Sequence, residues 1–128
     1  MGDDFTVKSD CFKPGCPVDA TIRLIGGKYK PMILWHLVDK PLRHGELQKI
    51  VSKATPKMLT QQLRELEADK IISREVFPVV PPKVEYSLTD FGQSLVPVLT
   101  VMYDWGARYM KDSGYIVSCS MSSPLFVP

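Results

Sequence analysis

Apolar residues in the middle of the chain recur at helical spacing and then switch to strand-like alternation. In TPKMLTQQLRELEAD, residues 55 to 69, Leu59, Leu63 and Leu66 fall four and three apart, which places them on one stripe facing a core. Thr55 is suited to accept a bond from an orphan N–H of the first turn, and Pro56 occupies the first helical position, where its missing N–H is not needed. At about 100° per residue, Lys57, Gln61 and Arg64 point away from the leucine stripe, with Thr60 on its shoulder. Beyond this helix, Ile72, Val76 and Phe77 are β-branched or aromatic, and Val84 to Leu88 alternates apolar and polar, which predicts a two-stranded hairpin. Pro78, Pro81 and Pro82 cannot donate to a ladder, so they belong at its tip or edge.

Upstream, the run PMILWHLV from Pro31 to Val38 has the apolar content of a buried helix, and Asp39-Lys40-Pro41 ends it. In RHGELQKIV, Leu47 and Ile50 are three apart, as on a short helix with one buried side, and SKAT leads into the capped helix. Two short helices with a brief connection, the second carrying polar donors, form a helix-turn-helix unit. Pro41 to Arg43 has room for a short strand beside the hairpin. From Phe91 onward, Leu95, Val98, Leu99, Met102, Trp105 and Tyr109 recur at helical intervals over about five turns. Pro97 should kink or restart that helix.

A small domain has limited core to cover so long a stripe, and a large exposed apolar patch marks an interface. Phe91, Leu95, Leu99, Met102, Trp105 and Tyr109 are therefore the expected dimer-interface residues; the alternative is a helix that simply packs on its own domain. The expected fold class is mainly α (α+β): a winged helix-turn-helix with a two-stranded wing and a long C-terminal dimerisation helix. Residues 1–14 form an N-terminal arm in this scheme, 15–112 the winged-helix domain with the dimerisation helix at about 89–112, and 113–128 a C-terminal tail.

Lys57, Thr60, Gln61 and Arg64, with Thr55 at the helix start, are the donor-rich types that contact guanine, adenine and phosphate edges in a major groove. On an isolated helix such a face is more simply a solvated surface. The helix before it and the hairpin after it make it a candidate face for double-stranded DNA. Lys83, beside the hairpin tip, has the position to reach a minor groove or a phosphate, or to be an ordinary exposed lysine. Lys28, Lys30 and Arg43 are further phosphate candidates, and His44 lies in the turn region where DNA would pass.

The 128 residues, 45% of them hydrophobic, suit one domain with a core of its own. Net charge is only +2, but residues 17 to 88 hold twelve Lys or Arg against eight Asp or Glu. A surplus that modest means that DNA affinity would rest on a local patch presented twice, rather than on bulk charge. Asp3 and Asp4 with no apolar segment after them argue against a secretory signal, and no apolar run approaches a membrane span, so the expected compartment is the cytoplasm.

Catalytic constellations are not legible, and no enzyme activity is expected. Gly26-Gly27-Lys28 resembles the end of a phosphate loop, but Ile22 stands where the first Gly is required and Tyr29 where Ser or Thr would hold magnesium. His36 and His44 lack Cys or carboxylate neighbours at ligand spacing and no CxxC pair exists, so neither metal nor cofactor is expected. Cys11, Cys16 and Cys119 are an odd number, which argues against a fixed internal disulfide framework. Cys16 precedes Pro17, the expected first residue of a helix, and a helix N-terminus favours a reactive thiolate. Cys11, five residues away, is a candidate resolving thiol for Cys16; the plain alternative is that Cys16 is a buried, inert residue.

Taken in order, CPVDATIRLIGGKYK (16 to 30), PLRHGEL (41 to 47), LTQQLRELEAD (59 to 69), VPPKVEYSLTDFGQSL (80 to 95) and PVL with Trp105-Gly106 resemble the HxlR family of bacterial winged-helix transcriptional regulators, relatives of the MarR group. The likeness runs from Cys16 to Gly106, about seven-tenths of the chain, without a large gap. The family pattern usually has Trp where this chain has Tyr29 and Gly where it has Lys70; a Pro at the place of Pro97 is part of the pattern. The resemblance implies a homodimeric regulator on a pseudo-palindromic operator. It also implies that Cys16 matches an N-terminal cysteine that senses oxidants or electrophiles in several members. Two readings stand beside this one: a winged-helix protein-interaction module, and a regulator gated by a small-molecule effector for which no residue set is specified.

Overall fold

The computed structural model describes residues 15–118. Cys11 and Cys119, and both ends of the chain, lie outside the described residues. Helix α1, Pro17–Ile25, opens on Pro17 behind the extended Cys16 and is braced by an Asp19–Arg23 pair one turn apart at 2.9 Å. Helix α2, Lys30–Leu37, is apolar around most of its circumference and is accordingly the central helix, with Ile33 and Leu34 fully buried. Strand β1, Leu42–Arg43, follows the break at Pro41, and helix α3, His44–Ile50, starts at once behind it.

Helix α4, Pro56–Ala68, begins and ends as its side chains dictate. The Thr55 hydroxyl accepts from the Met58 N–H at 3.1 Å, which satisfies one orphan donor. Leu59, Leu63 and Leu66 are all buried, and a leucine taken fully out of water contributes roughly 2 kcal/mol, more than any propensity effect along the helix. At the exit, the Ile71 N–H reaches back to the Leu66 carbonyl at 3.0 Å and the Lys70 N–H to that of Glu67 at 2.9 Å. This pair of bonds needs a left-handed residue between helix and strand, and Lys70, at φ 62°, supplies it. Leu66 and Ile71, on either side of the turn, are both fully buried.

Strands β2, Ile72–Phe77, and β3, Lys83–Leu88, form the hairpin, with Pro78, Pro81 and Pro82 at its tip. The two-stranded wing is present as expected, and β1 joins it to make a three-stranded antiparallel sheet in the order β1-β3-β2. Leu42 pairs with Tyr86 and Arg43 with Glu85, so the short strand at Pro41 to Arg43 is present as Leu42–Arg43. Both Leu42 and Tyr86 are buried, and that shared burial is what keeps a two-residue strand in place.

Thr89 ties the wing to the C-terminal helices: its hydroxyl donates toward the Lys70 carbonyl at 2.6 Å and accepts from the Gly92 N–H at 3.0 Å. The short helix α5, Asp90–Gln93, starts there, and helix α6, Val96–Asp112, restarts with Pro97 in its first turn. Pro97 therefore divides the C-terminal stripe into two helices, as a residue without an N–H should. Trp35 of α2 stacks on Tyr103 of α6, ring centroids 5.0 Å apart, and holds the long helix against the core.

The stripe divides in a way that its spacing does not show. Leu99 is buried in the domain's own core, while Phe91 and Leu95 are half-buried against it. Of these three, expected at an interface, Leu99 is thus taken up by the domain's own core, while Phe91 and Leu95 keep part of their surface at its edge. Met102, Trp105 and Tyr109 remain exposed, Trp105 by 68%.

Candidate nucleic-acid interface

The outward face of α4 carries Lys57, Gln61 and Arg64, all exposed, with Thr60 half-buried at its edge. They line one shallow concavity together with Pro56, Glu65 and Ala68. Lys57 and Arg64 have no ion-pair partner among the described residues, so both charges are available to a phosphate or a base edge. Thr60 is occupied: its hydroxyl lies 3.1 Å from His44 Nε2, a contact that fixes α3 against α4 across the turn. His44 and Thr60, separate candidates in the sequence, are thus one unit.

Arg43 stands exposed at the start of α3, and its backbone N–H donates to Glu46 Oε1 at 2.9 Å. That bond, first of all, holds the Glu46 carboxyl below its ordinary value of 4.5, with the Arg43, Lys40 and Lys49 charges adding to the effect. Lys83 is less available than its place beside the tip suggests. Its ammonium lies 3.3 Å from Glu85 and 4.7 Å from the centroid of the Phe77 ring, so a phosphate would have to compete for it. Lys28 sits at the surface with its ammonium 5.5 Å from the Tyr29 ring centroid.

Lys30 corrects the expectation for it. As a phosphate contact it should face solvent, yet its side chain is only 8% exposed and its ammonium binds Glu65 Oε1 at 2.7 Å. The physical reason is its position at the start of the central helix, from which the side chain runs inward along α4 rather than outward. Glu65 Oε2 in turn accepts from Gln61 Nε2 at 3.3 Å. The Lys30 bond, then the Gln61 bond, hold the Glu65 carboxyl below 4.5. Glu65 is a site residue that sequence reasoning misses. Its spacing of four from Gln61 is readable, but its partner lies 35 positions away and only the fold joins them.

Cys16 is exposed, with its carbonyl accepting from Ala20 N–H at 3.0 Å, so it is not the buried residue of the plain alternative. On α6, Trp105 and Tyr109 stack on each other in the open at 5.6 Å, flanked by exposed Val98, Val101 and Met102. Between α2 and α6 lies a cleft of about 720 Å³ lined by Met32, His36, Ile50, Met102, Tyr103 and Met110 among others. Among the described residues no helix is long and apolar enough to cross a membrane, and no group of three or more His, Cys, Asp or Glu gathers as metal ligands.

A capped helix with an open donor face, joined through a left-handed turn to a three-stranded wing, defines a winged helix-turn-helix protein. The chain belongs to the HxlR-like helix-turn-helix family, whose profile matches residues 24–114, and it is a transcriptional regulator of the HxlR and MarR type. It is 53% identical over 109 residues to the HTH-type transcriptional regulator YdeP of Bacillus subtilis, covering 85% of this chain and 83% of that one. Among solved structures it is similar to the redox regulator HypR in its oxidized form, at 50% identity and a TM-score of 0.71, over 73% of this chain and 96% of that chain. It is also similar to the reduced form of the regulator YodB from B. subtilis, at 33% identity and a TM-score of 0.65, over 76% and 96% of the two chains.

Proposed function

We propose that this regulator binds double-stranded DNA as a homodimer and represses transcription from a pseudo-palindromic operator in the cytoplasm. The observation that carries the reading is the open face of α4: Lys57, Gln61 and Arg64 exposed together on a helix whose opposite side is buried leucine. Thr55 and Thr60 flank this face, Arg43 and His44 sit at the start of α3, and Lys83 lies on the wing, where they position the backbone. Half-site centres about one helical turn, ~34 Å, apart follow from a two-fold arrangement. The exposed Met102, Trp105 and Tyr109 supply the self-complementary apolar surface that a homodimer needs. Residues 15–112 act as the DNA-binding and dimerising unit, between an arm and a tail.

In gel-shift titrations against an operator selected from genomic fragments, Arg64→Ala and Gln61→Ala should each lower operator preference over random DNA by roughly tenfold, as the loss of one base contact does. Lys83→Ala should weaken both DNAs alike and flatten the salt dependence, to the extent that its Glu85 pair lets it reach the backbone. Equal losses on both DNAs for all three variants would contradict these roles.

The signal proposed to release DNA is oxidation or electrophile attack at Cys16, with Cys11 as the resolving thiol. Its support is an exposed thiol at the start of α1 and similarity to a protein named as a redox regulator. Diamide should release the operator from wild type and leave it bound by Cys16→Ser; release from both would remove Cys16 from the mechanism. A small-molecule effector is the second reading, favoured by the apolar cleft between α2 and α6.

A further inference from the structure

Glu65 is out of place on a face meant for DNA. It lies one turn beyond Gln61 on the same side of α4, 43% exposed, and lines the same concavity as Lys57, Gln61 and Arg64. A bare carboxylate there would repel the phosphates that its neighbours attract. The structure answers that charge from beneath. The Lys30 ammonium, almost wholly buried, meets Oε1 at 2.7 Å, and Oε2 accepts the Gln61 amide at 3.3 Å. Gly27 lets this turn pack closely on both elements, since a Cβ at that position would stand 2.5 Å from Gln62 Oε1 of α4 and 3.0 Å from Lys30 Cδ. Gly27, part of a Gly26-Gly27 pair that makes no phosphate loop, thus has a use in the approach of the α1–α2 turn to α4.

We propose that Lys30 is a positioning residue for sequence reading: by binding Glu65 it cancels a charge on the DNA-facing surface and fixes the carboxylate that orients Gln61. The inference rests on the DNA-binding reading above. It assigns discrimination in part to a residue that touches no DNA, and it gives the half-buried pair a role beside its contribution to stability.

Two substitutions separate this role from a merely structural one, because they leave opposite charges behind. Lys30→Met leaves Glu65 unneutralised, so affinity for random DNA should fall a few-fold. Glu65→Ala leaves the Lys30 ammonium unneutralised, so affinity for random DNA should rise a few-fold. Glu65→Ala removes the Gln61 anchor and Lys30→Met leaves it unfixed, so both should lower the operator-to-random ratio by roughly fivefold to tenfold. In the double variant Lys30→Met/Glu65→Gln both charges are gone, so affinity for random DNA should return to near that of wild type, while the ratio stays low because nothing fixes the amide beside Gln61. Fluorescence anisotropy with operator and random duplexes at two salt concentrations, on proteins whose thermal midpoints show them folded, measures all of this. If wild type itself shows no operator preference, the DNA-binding reading fails. If wild type discriminates and both single variants keep its ratio, or if both shift random-DNA affinity in the same direction, the role given to Lys30 is overturned. Should Lys30→Met not fold, Lys30→Gln, which keeps a donor for Glu65 without the charge, takes its place: affinity for random DNA should fall a few-fold, and an unchanged affinity and ratio would overturn the role given to Lys30.

Discussion

Lys70 holds a backbone conformation that its side chain disfavours. At φ 62° a Cβ crowds the following carbonyl, at a cost of roughly 1–2 kcal/mol, and only the two helix-exit bonds and the burial of Leu66 and Ile71 keep it there. Lys70→Gly should relieve that strain and, after the larger entropy loss of glycine, leave a net gain of about 0.5–1 kcal/mol, seen as a higher thermal midpoint. An unchanged or lower midpoint would count against this account of the turn. Glu46 and Glu65 set the acid response in the same local way. Each is held below 4.5 in the folded chain, Glu46 chiefly by the Arg43 N–H and Glu65 chiefly by Lys30. Because the folded values lie below the unfolded ones, both contribute stability above about pH 4.5 that is lost as pH falls through the folded values. Glu65→Gln should therefore flatten the acid limb of a plot of urea midpoint against pH, and an unaltered limb would show that the Lys30 bond does not matter to folding.

At the level of elements, the junction between wing and C-terminal helices is where substitution should tell most. Gly92 opens against the Ile71 carbonyl, and a Cβ there would collide with that backbone oxygen and press on Leu88. Gly92→Ala should cost about 2 kcal/mol, as overpacking does, and lower the urea midpoint without changing which face of α4 is open. A variant as stable as wild type would mean that the junction yields freely. The elements themselves are largely legible in the sequence, because their causes are local: leucines at 59, 63 and 66, a Thr-Pro start at residues 55 and 56, and prolines gathered at the hairpin tip. The third strand is only half legible, since two residues carry no periodicity and Leu42 gains its place by sharing burial with Tyr86. Lys30 misleads for the opposite reason. It follows Lys28 and Tyr29 near a turn, and nothing local announces that a carboxylate 35 residues on will draw it inward. Leu99 reads as an interface residue because a helical stripe five turns long does not itself say which edge faces home.

For the whole molecule, the question is what covers α6. Trp105 and Tyr109, stacked in the open beside Val101 and Met102, form an apolar surface that the domain's own core does not reach. Under the proposed function, Trp105→Glu should convert a dimer into a monomer in sedimentation equilibrium and reduce operator affinity by more than tenfold, because half-sites are then gripped singly. A dimer that survives this change would place the two-fold contact elsewhere. The pairing of β1 with β3 has its own consequence at this scale. Arg43 is both the last residue of β1 and the residue that starts α3, while Glu85 opposite it belongs to the wing. The wing root is therefore stitched to the entrance of the helix-turn-helix, like a caliper with its jaws set at one opening. Under the proposed function such a tool does not loosen its grip by flexing a jaw, so a signal that frees the duplex would turn one protomer against the other.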